Sequence, residues 1–294
     1  MQRIRSTAIL VAWLGLALES SASQSHPDVV YARRGEGADA IELVADIELP
    51  PGDGPFPAVI CVHGGAWRLG NKQHMSHVVP QLVARGYATM AINYRLAPAH
   101  PFPAQQQDCH DALRWLHRNA SRYKIDPQRI AGLGYSAGGQ MVLLEALAAA
   151  SEETPPWITD TRERCKVRFR AVVAGGTPCD FRNLPLDTRA LAYWLGGTRR
   201  EFAERYRVAS PAAFVSGDAP PIHFFHGEQD VMVPRTGMLD LAERLRQAGA
   251  AVQIDLIPDH GHITTFFHRP AYQGAIDFLD RHLQNDTDDE SASE

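Results

Sequence analysis

The sequence GYSAGG at residues 134–139 lies between an apolar run, residues 129–133, and a segment of strong helix-forming residues. A serine between a strand and a helix, with a glycine two residues before it and another two residues after it, is typical of a nucleophile elbow. Such a turn strains the backbone of Ser136. It also brings strand and helix so close that there is no room for a Cβ at positions 134 and 138, where glycine is therefore needed. The adjacent helix N-terminus favours negative charge, which an attacked ester carbonyl develops.

The remainder of the chain alternates apolar runs with helical patterns. An antiparallel ribbon is expected first, from residues 29–32 and 40–49. The later expected strands are residues 57–62, 87–93, 129–135, 169–175, 221–226 and 251–257, and the expected helices are 74–85, 105–119, 137–150, 236–248 and 271–283. Several of these strands are apolar without alternation, as strands covered on both faces should be. The pattern predicts an α/β fold with a mostly parallel central sheet and helices on both faces.

Three segments are expected along the chain. Residues 1–23 have the features of a secretory signal peptide, with Arg3 and Arg5 ahead of an apolar core that is short for a bilayer span. An uncleaved N-terminal anchor is the alternative. A catalytic domain is expected over residues 24–284, followed by a disordered acidic tail at 285–294. The signal predicts a periplasmic or secreted protein whose mature chain is not stably inserted in a membrane.

Residues 176–210 interrupt the alternation. They contain two prolines and two short helical patterns, around residues 190–195 and 200–206. We expect a small cap-like insertion over the carboxyl edge of the sheet, where α/β folds place their ligands. An ordinary irregular connection is the alternative.

Composition excludes several classes of protein. The chain has 294 residues, of which 45% are hydrophobic, and a formal net charge of −5. This balance gives no reason to expect nucleic acid or an anionic membrane surface as a partner. The four cysteines form no metal-binding pattern. We expect Cys61 and Cys109 to be buried thiols, whereas Cys165 and Cys179 could pair in an oxidising compartment.

A serine hydroxyl is a poor nucleophile until a base removes its proton, and the base needs an acid to orient it. In folds with a nucleophile elbow the chain order is serine, acid, histidine. Asp230, just beyond the strand at residues 221–226, is the acid candidate, and Glu228 on the same loop is the alternative. Asp108 and Asp111 are expected in the first turn of a helix, where acidic side chains complement the helix dipole.

The base must follow the last strand. Residues 258–262, Pro-Asp-His-Gly-His, offer two histidines there. Gly261 permits a tight turn that would deliver the next side chain into the site, so His262 is the candidate base and His260 the alternative.

Donors for an oxyanion are expected from residues 63–67, His-Gly-Gly-Ala-Trp, which directly follow a predicted strand and are called the glycine turn below. Successive glycines let backbone N–H groups face a developing negative oxygen. We therefore expect an oxyanion hole formed by Gly64 and Gly65, with the N–H of Ala137 as the complementary donor.

The glycine turn, residues 93–98 (NYRLAP) and residues 134–139 together resemble the α/β-hydrolase carboxylesterases of the hormone-sensitive-lipase-like group. Typical members carry a third glycine where Ala66 stands. The variant found here is similar to the bacterial acetyl-xylan/feruloyl-esterase-like and kynurenine-formamidase-like branches. The resemblance implies that Tyr94 and Arg95 brace the glycine turn.

These features predict a serine carboxylic-ester hydrolase that forms an acyl-enzyme through a catalytic triad of Ser136, Asp230 and His262. The expected substrates are short-acyl or aryl esters, with acetylated or feruloylated carbohydrate among the candidates. No metal or organic cofactor is expected, since neither an HExxH motif nor a phosphate loop is present. The alternatives are an amide hydrolase of the kynurenine-formamidase kind, which an export signal disfavours, and a non-catalytic binding module on a hydrolase scaffold.

Overall fold

The computed structural model describes residues 22–37, 40–158 and 167–284. In these residues the strands are β1 (Gln24–Arg34), β2 (Ile41–Leu49), β3 (Phe56–Val62), β4 (Ala88–Ile92), β5 (Ile125–Tyr135), β6 (Val172–Gly175), β7 (Ile222–Gly227) and β8 (Val252–Ile257). They form one sheet in the order β1-β2-β4-β3-β5-β6-β7-β8. β2 is antiparallel to both of its neighbours, and all the other neighbouring strands are parallel.

Helices connect the parallel strands. The α-helices of the described residues are α1 (Val79–Ala84), α2 (Ala104–Asn119), α3 (Ala137–Ala150), α4 (Ala192–Leu195), α5 (Ala203–Val208), α6 (Thr236–Gln247), α7 (His262–Phe266) and α8 (Arg269–Leu283). Short 3₁₀ segments occur at Lys72–Met75, Ala120–Tyr123 and Pro211–Ala213.

The sheet is buried on both faces. Ala58, Ile60 and Val62 of β3 belong to a buried cluster that includes residues of α2, α3 and α6. Val59 and Cys61, which alternate with them, belong to a second cluster with residues of α1 and α8. Successive side chains of a strand point to opposite faces, so one continuous apolar run supplies both cores. The expected fold is confirmed.

The structure corrects two expectations about where the helices that pack on the sheet begin and end. The helix expected at residues 74–85 is a 3₁₀ turn followed by the short helix α1, which has Pro80 in its first turn. Proline lacks an N–H and its ring clashes with the preceding turn, so a single helix cannot run through it. The placement of Asp108 and Asp111 in a first helical turn was wrong, because α2 begins at Ala104 and its first turn has no acidic residue.

Several expectations fall outside the described residues: those on residues 1–21 of the signal, on the tail at 285–294, and on Cys165 as a partner for Cys179. They stay predictions. Cys61 and Cys109 are buried free thiols, as expected. None of the helices in the described parts of the chain is both long enough and apolar enough to span a membrane.

Candidate active site

Ser136 lies in the sharp turn between β5 and α3. Its backbone has φ 55° and ψ −120°, a conformation that L-residues rarely adopt. A Cβ at Gly134 would overlap the backbone of Gly138, and a Cβ at Gly138 would overlap the carbonyl oxygen of Val62. The Ser136 N–H donates to the Gly175 carbonyl at 2.8 Å, which fixes the turn to β6. The elbow has the geometry that its glycine spacing predicts.

The fold brings the three candidate catalytic side chains into one hydrogen-bonded row. His262 Nε2 lies 3.0 Å from Ser136 Oγ, and His262 Nδ1 lies 2.6 Å from Asp230 Oδ2. The side chains of Asp230 and His262 are buried, whereas Ser136 is partly accessible. When Nδ1 is protonated and donates a hydrogen bond to the carboxylate, Nε2 is free to accept the serine hydroxyl proton.

The rival acid is occupied elsewhere. The half-exposed Glu228 carboxylate lies 3.4 Å from Arg235. The Asp230 carboxylate is held instead by its own loop, since Oδ1 accepts the N–H groups of Met232 at 3.0 Å and Val233 at 2.8 Å. This leaves Oδ2 to accept from His262, so the structure brings Asp230 and not Glu228 to the imidazole.

The base sits at the start of a helix that the sequence pattern did not indicate. His262 is the first residue of α7, and the rival His260 directs its Nδ1 toward the Pro258 carbonyl at 2.7 Å. The hydroxyl of Tyr135 donates to the backbone carbonyl of His262 at 2.6 Å. Burial raises the pKa of Tyr135, so this hydroxyl keeps its proton. Tyr135, the last residue of β5 before Ser136, therefore links the elbow directly to the backbone of the base.

A second histidine lies beside the acid. His226 Nε2 is 2.8 Å from the Val233 carbonyl and 3.4 Å from Asp230 Oδ2. Burial lowers the pKa of His226, which favours the neutral ring with Nε2–H as the donor. The imidazole therefore helps to hold the loop that presents Asp230. Sequence reasoning missed this role, and the only available signal was the spacing of four residues between His226 and Asp230.

The glycine turn lies against the elbow. A Cβ at Gly64 would come within 2.9 Å of the Tyr135 carbonyl oxygen, so the two turns are in close contact. Gly65, Ala66 and Trp67 have φ values of 115°, 50° and 58°. In the described part of the chain, no acceptor receives the N–H groups of Gly64, Gly65 or Ala137. Their assignment as oxyanion donors stays a prediction.

Residues 94 and 95 contact different parts of this region. Tyr94 stacks on the imidazole of His63, with ring centroids 4.2 Å apart, and donates its hydroxyl to the His63 carbonyl at 3.0 Å. Arg95 instead pairs with Asp108 at 2.7 Å and also donates its backbone N–H to that carboxylate. Burial raises the pKa of Asp108 although Arg95 opposes the shift. Tyr94 braces the glycine turn directly, whereas Arg95 ties the next loop to α2.

The imidazole that opens the turn is neutral. Burial lowers the pKa of His63 to about 4, with a smaller lowering from His74 and an opposing hydrogen bond to Gly64. His63 Nδ1 lies 2.7 Å from the Gly64 carbonyl oxygen. The neutral ring therefore donates Nδ1–H to Gly64 and fixes that peptide.

The sequence model of the BD-FAE family matches residues 45–245, more than half of the chain. The chain belongs to the BD-FAE family. The sequence-based resemblance to hormone-sensitive-lipase-like α/β-hydrolases is thereby confirmed.

Among curated relatives, a probable carboxylic ester hydrolase, LipM of Mycobacterium tuberculosis, is 34% identical over 200 residues, which are 66% of this chain and 46% of LipM. Esterase LipC of the same organism is 31% identical over 216 residues, covering 71% of this chain and 53% of LipC. This BD-FAE chain thus spans about half the length of the curated relatives it matches.

Solved structures agree on the fold. A truncated form of a carbohydrate esterase from gut microbiota superposes with a TM-score of 0.78 and 26% sequence identity, covering 91% of this BD-FAE chain and 99% of that chain. An esterase of the planctomycete Thermogutta terrifontis has a TM-score of 0.70 at 20% identity, covering 92% of this chain and 96% of its own. The second likeness shows the α/β-hydrolase fold alone.

Proposed function

We propose that the protein is a serine ester hydrolase. The observation that carries the proposal is the hydrogen-bonded row of Asp230, His262 and Ser136, with the serine in a strained elbow beside backbone N–H groups that have no acceptor among the described residues. Membership of the BD-FAE family and the ester hydrolases among its curated relatives support the same reaction. A non-catalytic module on this scaffold would not require all three side chains in contact.

The geometry supports acyl transfer in two halves. His262 Nε2 takes the proton of Ser136 Oγ, which attacks the acyl carbon, while Asp230 stabilises the imidazolium that forms. The carbonyl oxygen becomes negatively charged and faces the N–H groups of Gly64, Gly65 and Ala137. The imidazolium then protonates the leaving alcohol, which leaves an acyl-enzyme on Ser136. Water, activated by the same imidazole, releases the acid and regenerates the hydroxyl.

Removing the nucleophile is the first test. Ser136→Ala should reduce kcat on p-nitrophenyl acetate by about 10⁴- to 10⁶-fold, because no acyl-enzyme can form. Circular dichroism should show an unchanged fold, and a fluorophosphonate probe should label the wild-type protein but not the variant. Hydrolysis close to the wild-type rate by the folded variant would refute the proposal.

The choice of acid is tested by a matched pair of amides. Asp230→Asn cannot hold His262 in the tautomer that accepts the serine proton and should lower kcat by about 10⁴-fold. Glu228→Gln, on the same loop, should leave kcat within about twofold because that carboxylate lies at the surface beside Arg235. Equal losses in the two variants would overturn the assignment.

We propose short-acyl or aryl esters as the substrate class, including acyl groups linked to carbohydrate. The support is the 26% identical carbohydrate esterase from gut microbiota, which matches over almost its whole length. A screen of p-nitrophenyl esters of increasing acyl length, acetylated xylan and methyl ferulate identifies the preferred ester. Faster turnover of N-formylkynurenine than of every ester in the screen would favour an amide hydrolase instead.

We also propose that the protein is exported, on the basis of the basic and apolar pattern in residues 1–23. Fractionation of cells that express the full chain would find it outside the cytoplasm. Retention of the protein in the cytoplasmic fraction would refute export and leave the proposed reaction intact.

A further inference from the structure

The glycine turn contains two consecutive residues in an unfavourable backbone conformation. Ala66 and Trp67 have positive φ values, of 50° and 58°, although neither is a glycine. L-residues disfavour this region because the Cβ lies too close to the backbone, and such conformations persist only where surrounding contacts hold them. Two local hydrogen bonds, from the N–H groups of Arg68 and Leu69 to the Gly65 carbonyl at 3.1 and 2.9 Å, close the turn, and further contacts reach it from elsewhere in the chain.

The side chain of Trp67 is held on two sides. Its ring lies parallel to that of Trp194 in α4, with centroids 3.6 Å apart and an angle of 1° between the planes. Its indole N–H donates to Gln140 Oε1 at 2.9 Å. Gln140 belongs to α3, the helix that begins at the elbow, and its amide N–H donates to the Ala209 carbonyl at 2.8 Å. One buried amide thus joins the turn, the elbow helix and Ala209, which lies near the end of the segment at residues 176–210.

The backbone of the same turn is held as well. The hydroxyl of Tyr193, the residue before Trp194, donates to the Ala66 carbonyl at 2.9 Å. The next carbonyl, that of Trp67, accepts the N–H of Ala97 at 2.9 Å. Both strained peptides therefore have an external hydrogen-bond donor. Tyr193 supplies one of these donors from the segment at residues 176–210, called the insertion here.

We propose that Tyr193 and Gln140 are positioning residues, which hold the glycine turn so that the N–H groups of Gly64 and Gly65 face the oxyanion of the transition state. This inference rests on the proposed ester hydrolysis. Holding donors in place in advance lowers the barrier without tightening substrate binding. The insertion would then act on kcat through the turn.

The matched test for the hydroxyl uses two tyrosines of the insertion. Tyr193→Phe removes only the bond to Ala66 and keeps the ring over which the Arg68 guanidinium lies. Tyr206→Phe removes a bond of similar length, from the buried Tyr206 to the Gly197 carbonyl at 3.0 Å, and this bond lies wholly within the insertion. We expect Tyr193→Phe to lower kcat about fivefold with KM within about twofold of wild type, and Tyr206→Phe to change neither.

A second pair tests Gln140. Gln140→Met keeps the length of the side chain but loses the acceptor for Trp67, and should lower kcat by about 10- to 100-fold, less than loss of a whole oxyanion donor. Trp157→Phe is the control, because the buried Trp157 indole N–H donates to Glu145, also on α3, at 3.1 Å and does not contact the glycine turn. Thermal melting of all four variants gives the loss of stability with which each kcat is compared.

A trifluoromethyl ketone separates positioning from general damage, because its adduct with Ser136 carries a negative oxygen in the place of the transition-state oxyanion. If the proposal holds, Tyr193→Phe and Gln140→Met weaken its inhibition by the same factor as they lower kcat/KM. Control variants with equal loss of melting temperature should bind it as the wild type does.

The possible outcomes separate the two proposals. Activity that survives Ser136→Ala contradicts the ester-hydrolase mechanism itself. If activity depends on Ser136 but Tyr193→Phe matches Tyr206→Phe in kcat and in ketone inhibition, the positioning role is wrong while the mechanism stands. A Gln140→Met protein that does not fold leaves the Tyr193 pair as the deciding measurement.

Discussion

The elbow and the glycine turn touch each other, and both contain non-glycine residues at positive φ, yet they are stabilised in different ways. In the elbow, Ser136 is flanked by Gly134 and Gly138, whose missing Cβ atoms allow strand and helix to approach. In the glycine turn, Ala66 and Trp67 are also held by side chains from two other segments, α3 and α4. Strain that glycine permits can be recognised from a short motif, whereas strain held by remote contacts cannot.

The comparison predicts that the elbow does not tolerate a Cβ at Gly138. In Gly138→Ala the new Cβ would overlap the backbone oxygens of Val62 and His63, which are fixed in and beside a central strand. We expect the free energy of unfolding to fall by more than about 3 kcal/mol, with loss of activity, because backbone in the sheet cannot move aside.

Gly237→Ala is the matched control for that substitution. A Cβ at Gly237 would meet nothing within 4 Å, and the residue lies in α6, where alanine is favoured over glycine by up to about 1 kcal/mol. Urea denaturation should therefore give a higher midpoint for Gly237→Ala and a much lower one for Gly138→Ala. A wild-type midpoint for Gly138→Ala would show that the elbow does not need its glycine.

Acidic pH should lower the free energy of unfolding through His63, the first residue of the glycine turn. The pKa of His63 is lowered to about 4 in the native protein, while in the unfolded chain it is near 6.5. Between these values the unfolded state binds the extra proton, so stability falls as pH falls from about 6.5 to 4. The contribution lost over this window is about 3 kcal/mol, since each pKa unit corresponds to about 1.4 kcal/mol.

His63→Asn tests this contribution. An asparagine amide can still donate to the Gly64 carbonyl but does not titrate. The free energy of unfolding, measured by urea titration at several pH values, should depend less steeply on pH in the variant than in the wild type. Equal slopes for the two proteins between pH 6.5 and 4 would show that His63 is not the source of the acid sensitivity.

The smallest expected effect is that of Ala66→Gly. The side chain of Ala66 is exposed, so the substitution removes strain without opening a cavity. Relief at positive φ outweighs the greater freedom of glycine in the unfolded chain, and we expect stability to rise by about 1 kcal/mol or less. A fall in melting temperature would mean that Ala66 is not strained, which would remove the contrast between the two turns.

Sequence patterns predicted the parts that depend on local chemistry. The apolar runs of residues 58–62 and 171–173 indicated strands covered on both faces, and the structure confirms the mostly parallel sheet. The helix that begins at His262 was not predicted, because it has only five residues and no apolar period can be read over one turn. Asp108 and Asp111 were misplaced because an apolar pattern does not define the first residue of a helix, and α2 begins at Ala104.

The sequence by itself determined the alternation of the main strands and longer helices, the glycines that shape the elbow, and the candidates at positions 136, 230 and 262. Spacing and residue type carry this information, since a missing Cβ or an apolar run acts on its immediate neighbours. Only the tertiary structure decided that Asp230 and not Glu228 reaches the imidazole. It also decided that Tyr135 binds the backbone of His262, and that Tyr193 and Gln140 contact the glycine turn. These contacts join segments up to 127 residues apart, and the pairing of such distant groups is set by how the layers of the fold pack together.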